Sequence, residues 1–136
     1  MKTIPAGSNQ KIEYACARRT GTPAKGAPPI EVAEGWLLIY NAVSHQHNGG
    51  GYKIGAMILD RNDPAKVLYR SIRPILNASA WYEETGHVPR VTYACGAVIK
   101  EGTLFVYYGS ADNYVSIATA PVDSFLAALK EDKVEQ

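Results

Sequence analysis

Carboxylates, imidazoles and a glycine run are the residues of this chain that could do chemistry. Asp112 follows Tyr107-Tyr108-Gly109-Ser110-Ala111. A carboxylate in a connector behind small residues is placed to meet a ligand at close approach; the alternative is a turn cap shared with Asn113. Glu83 and Glu84 follow Trp81-Tyr82 and form a second acidic pair. Asp60 and Asp63 flank Arg61-Asn62 ahead of Pro64 and read as turn chemistry, their carboxylates accepting from backbone amides. His45-Gln46-His47 would point both imidazoles the same way on a strand, the beginning of a metal site, but no third ligand stands at useful spacing. No metal is expected. Gly49-Gly50-Gly51 could cradle phosphate only if a helix opened behind it to supply aligned amides. None does, so the run reads as a connector over the mouth of a site.

The elements that must position these residues are strands. Trp36 to Val43, Tyr52 to Asp60, Val67 to Leu76, Val91 to Lys100, Thr103 to Gly109 and Tyr114 to Ala120 are rich in Val, Ile, Leu and Tyr and bounded by Gly, Pro, Asn or Asp. Only Val122 to Lys130 carries helical spacing, with Val122, Phe125, Leu126 and Leu129 on one face and Asp123 in the first turn. The spacing predicts one short C-terminal helix packed on a sheet. Residues 1–25 read as an N-terminal arm, the first thirty residues holding four prolines and the cluster Gly21 to Pro29, with Ile12 to Cys16 as an edge strand in the alternative. The remainder, 26–136, reads as one all-β unit.

Composition bounds the partners. With 136 residues the chain makes one domain, and 14 Lys and Arg against 13 Asp and Glu give a net charge of +1. No cationic footprint for nucleic acid or an anionic membrane surface follows from that balance. The longest apolar run, Trp36 to Tyr40, is far short of the roughly 20 residues of a membrane span. The N-terminal residues lack an apolar signal stretch, and two cysteines, Cys16 and Cys95, are too few for a disulfide framework. A cytoplasmic protein with two buried thiols is the expectation. Nine Tyr and two Trp against two Phe favour rings with a polar edge, which suit sugar sites and ordinary strands alike.

An internal repeat is more informative. Ile30 to Tyr40 lines up with Ala97 to Tyr107, both reading strand, Glu-Gly turn, strand, and Ile54 to Asp60 lines up with Ile117 to Asp123. A hairpin plus a third strand, repeated, suggests two propeller blades. A propeller closes with at least four. Two blades alone must therefore cover their faces by some other means.

These segments resemble the C-terminal part of glycoside hydrolase family 130, the β-mannoside phosphorylases and β-mannosidases. The resemblance is carried in order by Pro28-Pro29-Ile30, Gly35 to Tyr40, Tyr52 to Ala56, Leu59-Asp60, Asp63-Pro64, Tyr82-Glu83, Gly86 to Pro89, Cys95-Gly96, Tyr107 to Asp112 and Ala118 to Ala120. It implies about two blades of a five-bladed β-propeller, a half-propeller, whose site faces the central funnel. By resemblance Asp112 matches the aspartate that bonds sugar hydroxyls, while Tyr52, Asn41 and His87 fall beside funnel-lining positions. The family's general acid lies in a half with no counterpart here, so no catalytic residue is assigned. Where phosphorylases place a phosphate-holding His this chain has Asn41, and Lys25 is the nearest candidate for their phosphate-holding Lys. A neutral amide cannot replace a charge-assisted bond to a dianion. Arg90 stands where the family more often has Asn.

Two expectations follow. In the first, the chain supplies the sugar-holding wall for a β-mannoside or related oligosaccharide, with phosphate as a second ligand of the phosphorylases, and is inactive alone. In the second, it is a non-catalytic carbohydrate-binding or interaction module that self-associates. Either way its partner is a homo-oligomer mate or a complementary half-propeller chain, and no cofactor is expected.

Overall fold

The computed structural model describes residues 2–4, 26–43, 52–72, 74–76, 92–110 and 114–131. They form β1 (Lys2–Thr3), β2 (Ile30–Val32), β3 (Gly35–Val43), β4 (Tyr52–Leu59), β5 (Val67–Arg70), β6 (Thr92–Lys100), β7 (Thr103–Ser110), β8 (Tyr114–Pro121) and α1 (Val122–Glu131). The fold is mostly β with one short C-terminal helix, as the strand-rich sequence requires. The strands make two four-stranded sheets, β2-β3-β4-β5 and β1-β8-β7-β6. All pairings are antiparallel except β1 on β8.

Two stacked sheets, and no closed propeller, are what the described residues show. Each hairpin-plus-strand unit also gains a fourth strand. In the second sheet that strand is β1, from the N-terminal arm, and Ile4 behind it donates to Thr119 O at 2.9 Å and packs into the core.

Period-two alternation explains the stacking. Leu37 and Ile39 of β3, and Ile54, Ala56 and Ile58 of β4, meet Leu104, Val106 and Tyr108 of β7 and Ala118 and Ala120 of β8 in one buried layer. Each fully buried Leu, Ile or Val contributes about 1.5–3 kcal/mol relative to exposure. α1 closes one end of this layer with Phe125, Leu126 and Leu129. Its first amide, Val122 N, donates to Gly102 O at 2.9 Å, and Lys130 Nζ pairs with Glu34 Oε1 at 2.6 Å, so the helix is fastened to a turn of each sheet.

The Glu-Gly pairs that align the repeat do different work. In the second unit Glu101 and Gly102 are the turn, both with positive φ (52° and 75°) as a two-residue hairpin turn of type I′ requires. In the first the turn is Ala33-Glu34, and Gly35 already pairs with Val32 as the first residue of β3. Glycine is needed there for another reason: a Cβ would lie 2.1 Å from Leu59 O. The turn of the first unit thus falls one residue earlier than that of the second, while the strands that follow keep the phase of the sequence alignment, Leu37 and Ile39 facing inward as Leu104 and Val106 do.

Two further expectations are corrected. The strand read from Val67 to Leu76 ends at Arg70; Ser71 then bonds Ala56 through both its backbone N (2.8 Å) and Oγ (3.1 Å), and pairing resumes at Leu76, opposite Ile54. Pro74 lacks the amide that an unbroken ladder needs. Cys95 is exposed and not buried, because the register shifts between Ala94 and Gly96 and turns it outward. Cys16 and the Ile12 to Cys16 segment lie outside the described residues.

Candidate functional site

The inter-sheet layer changes character along its length. At the helix end it is closed by Leu37, Ile58, Leu104, Ala120 and α1. At the other end the inward positions become Asn41 on β3, Ser110 on β7 and Ser116 on β8. Ser110 keeps the alternation of Leu104, Val106 and Tyr108 and is fully buried.

Asn41 joins the two sheets at this end. Its Oδ1 accepts from Ala94 N at 2.6 Å and its Nδ2 donates to Ala94 O at 3.3 Å. A carboxamide can satisfy both backbone groups of one residue because it carries a donor and an acceptor side by side. Those backbone groups are open to it because β6 is the edge strand of its sheet. Ser110 Oγ and Ser116 Oγ share a hydrogen bond at 2.7 Å.

The strand ends at this pole carry the connections that hold most of the candidate residues. β3 ends and β4 begins here, with Val43 opposite Tyr52, and Leu76 pairs beside them with Ile54. Thr92 opposite Ser110, and Ser110 opposite Tyr114, place the start of β6, the end of β7 and the start of β8 at the same pole. Positions 44–51, 77–91 and 111–113 are all reached from this end. Among the described residues the opposite pole has the short connections 33–34, 60–66 and 101–102, and β1, parallel to β8, runs toward it as well.

Among the candidates, Asn41 is buried at the pole with its amide on Ala94. The backbone of Tyr52 stands at the start of β4, and its side chain lies outside the described residues. Asp112, His87 and Lys25 lie outside them too, as do Glu83, Glu84, Arg90, His45 and His47. Asp60 and Asp63 do what turn residues do. Asp60 Oδ1 accepts from the amides of Asn62 and Asp63, each at 2.9 Å, and Asp63 Oδ1 accepts from Ala65 N at 3.3 Å. These amide bonds hold the Asp60 carboxyl below its ordinary pKa.

Sequence reading passed over Ser110 and Ser116, although the in-phase alternation from Leu104 would have placed Ser110 inward. It also passed over Lys53, whose ammonium has its pKa lowered by burial. Lys53 alternates with the inward-facing Ile54 and so stands on the opposite face of the first sheet, away from the cleft. Asn41, Ser110 and Ser116 at this pole are neutral hydrogen-bonding side chains, with no titratable group among them. Among the described residues no group of three or more His, Cys, Asp and Glu stands together, and no helix is long and apolar enough to cross a membrane.

Sequence and fold place the chain in a carbohydrate-active family. Residues 23–131 match the glycoside hydrolase family 130 model, described as beta-1,4-mannooligosaccharide phosphorylase, and the chain belongs to that family. It is 41% identical over 93 residues to a 1,2-beta-oligomannan phosphorylase of Thermoanaerobacter sp., covering 68% of this chain and 30% of that one. It is 39% identical over 107 residues to a beta-1,4-mannooligosaccharide phosphorylase of Ruminococcus albus, covering 77% and 32%. Among solved structures, the beta-1,2-mannobiose phosphorylase of Listeria innocua in complex with beta-1,2-mannobiose superposes with a TM-score of 0.71 at 38% identity, over 79% of this chain and 30% of that one. The chain therefore spans about a third of the length of the relatives it matches.

Proposed function

We propose that this chain forms the sugar-holding wall of a β-mannoside site at the polar pole of its two sheets, and that the sheets correspond to two blades of a propeller. The observation that carries this reading is the convergence of Asn41, Tyr52, Ser110 and the strand ends leading to His87 and Asp112 on one pole. Neutral acceptors and donors fixed by a rigid sheet select between sugar epimers, because the wrong epimer leaves buried polar groups unpaired. Phosphorylase activity in the relatives supports a β-linked mannoside as the ligand class.

Inverting cleavage of a glycoside also needs a carboxylic acid to protonate the leaving oxygen, with water or phosphate attacking the opposite face. The described cleft end holds no such group. In this proposal Asp112 holds sugar hydroxyls, the acid comes from a complementary chain, and the isolated chain turns nothing over. Asn41, with both amide groups on Ala94, supports the pole and does not take the place of a phosphate-holding cation.

Calorimetric titration of β-1,2- and β-1,4-mannobiose tests the reading. The wild type should give a binding isotherm in about the millimolar range that weak sugar sites occupy, and Asp112→Ala should lose it. Equal heats from both proteins remove Asp112 from the site. Phosphate consumption by the isolated chain with mannobiose overturns the assignment of the acid to another chain.

A further inference from the structure

Charge is segregated among the described residues. Every described carboxylate lies on β2, in the turns of the helix pole or on α1. Arg61 and Lys130 pair there with Glu31 and Glu34, each at 2.6 Å. Lys53 and Arg70 stand apart from these carboxylates, both half-buried. They share the outer face of the first sheet: Arg70 is opposite Met57, and Met57, Gly55 and Lys53 alternate along β4 with the inward Ile54, Ala56 and Ile58. Glu31 reaches that face only at its helix end, where Arg61 holds it.

Tyr40 brings the two cations toward one another. It stands opposite Gly55 and its ring lies over the glycine, so that a Cβ there would meet Tyr40 Cζ at 2.5 Å and Oη at 2.6 Å. Arg70 reaches the same ring: its Nε donates to Tyr40 Oη at 3.1 Å, and its Cζ lies 5.5 Å from the ring centroid. That contact fixes the guanidinium beside Gly55 and takes one of its five N–H donors. Lys53 follows two residues along the same face of β4, about 7 Å from Gly55. Tyr40 and Met57 are already buried on this face by the chain itself. The two cations therefore stand at the edge of a closed surface, on a support that cannot swing away.

Two like charges on one face repel, and a half-buried ammonium costs free energy without a counter-charge. Burial lowers the pKa of Lys53, and β3, β4 and β5 carry no carboxylate to face it. The Arg70 guanidinium keeps its charge at any ordinary pH. A neutral sugar would leave both charges uncompensated, and a monocarboxylate would answer one. A dianion answers both, through charge-assisted hydrogen bonds from the two side chains at once. We infer that the outer face of the first sheet carries an oxyanion site, in which Lys53 and Arg70, the latter propped on Tyr40, close on one phosphate group. The site lies across the sheet from the buried Asn41 and stands or falls apart from the sugar reading.

Inorganic phosphate titrated into the isotopically labelled full chain, at constant ionic strength and read by backbone amide shifts, tests this assignment. The wild type should show saturable shifts at Lys53, Gly55 and Arg70, with a dissociation constant in about the millimolar range of a small-ion site. Lys53→Met keeps the stem on the sheet and removes the charge, so it should weaken binding at least about tenfold in a chain that retains its thermal midpoint. Arg70→Gln should weaken it at least as much, and acetate should bind the wild type at least about tenfold more weakly than phosphate. Glucose 6-phosphate separates the two sources of a phosphate group: tighter binding at the same amides assigns the site to a phosphorylated ligand, weaker binding assigns it to the free ion, and both keep the site. Shifts as large at Lys66 and Lys100 as at Lys53 mark an adventitious ion only and overturn it. So do shifts that survive Lys53→Met undiminished, acetate binding as tight as that of phosphate, or no saturable shift up to about 50 mM phosphate.

Discussion

The two poles of the inter-sheet layer are built from the same strands and differ in what those strands carry inward. At the helix pole β3, β4, β7 and β8 present Leu37, Ile58, Leu104 and Ala120, and α1 seals the end. At the other pole the same alternation delivers Asn41, Ser110 and Ser116. Burying a polar group costs free energy unless it is paired, and these groups are paired with a backbone or with each other. The lesson is a division of labour along a strand: the apolar pole supplies stability, and the polar pole buries paired hydrogen-bonding groups.

The largest expected effect strikes the apolar pole. Leu104→Ala removes a fully buried side chain and should cost about 2–5 kcal/mol in urea unfolding, with mannobiose affinity of the folded protein unchanged. Asn41→Ala should cost less, about 1–3 kcal/mol, by leaving Ala94 N–H and C=O unpaired. Here affinity should fall with stability, because the strand ends that bear the site lose their cross-sheet tie. Equal effects of the two substitutions on binding would dissolve the distinction between the poles.

The outer faces of the sheets extend the comparison to smaller energies. Gly55→Ala forces Tyr40 off its seat and should cost about 1–3 kcal/mol, whereas Gly96→Ala enters open space and should fall within about 0.5 kcal/mol of wild type. Thermal melts of the two variants side by side measure the contrast.

The smallest effect is the pH dependence of the helix fastening. The hydrogen bond from Lys130 lowers the Glu34 pKa from its ordinary 4.5, against a smaller opposing effect of burial. A carboxylate depressed in the folded state stabilises fully above the ordinary value, and that contribution disappears as pH falls through the lower folded value. Lys130, raised above its ordinary 10.5 chiefly by its hydrogen bond with Glu34, contributes below that value and loses the contribution as pH rises through its folded one. Glu34→Gln should therefore flatten both the acid and the alkaline limbs of a stability-against-pH profile.

Much of this fold could be read from residues alone. Runs of Val, Ile, Leu and Tyr between turn residues located seven of the eight described strands or their partners in the repeat, and Val122, Phe125, Leu126 and Leu129 located α1. Asp60 and Asp63 were correctly read as turn residues from their spacing about Pro64. The missed features are tertiary. Pairing of β1 with β8 joins the two ends of the sequence, and no local pattern reports such a contact. The exposure of Cys95 depends on a register shift beside Ala94, the residue that Asn41 holds from fifty-three positions away. The one-residue slip between the Glu-Gly pairs is invisible in an alignment because both dipeptides suit a turn. At the candidate site, the resemblance singled out Asn41 as a funnel residue, but only the geometry shows its amide engaged with a backbone.

That sugar is held at the polar pole is the proposal on which the rest depends. Titration of β-mannobiose into isotopically labelled chain, followed by backbone amide shifts, tests it most directly. Saturable shifts are expected at Asn41, Tyr52, Ala94, Ser110 and Tyr114, with the amides of Leu104, Phe125 and Leu129 unmoved. Shifts confined to the helix pole or to the outer faces of the sheets, or no shifts at saturating sugar, would contradict it.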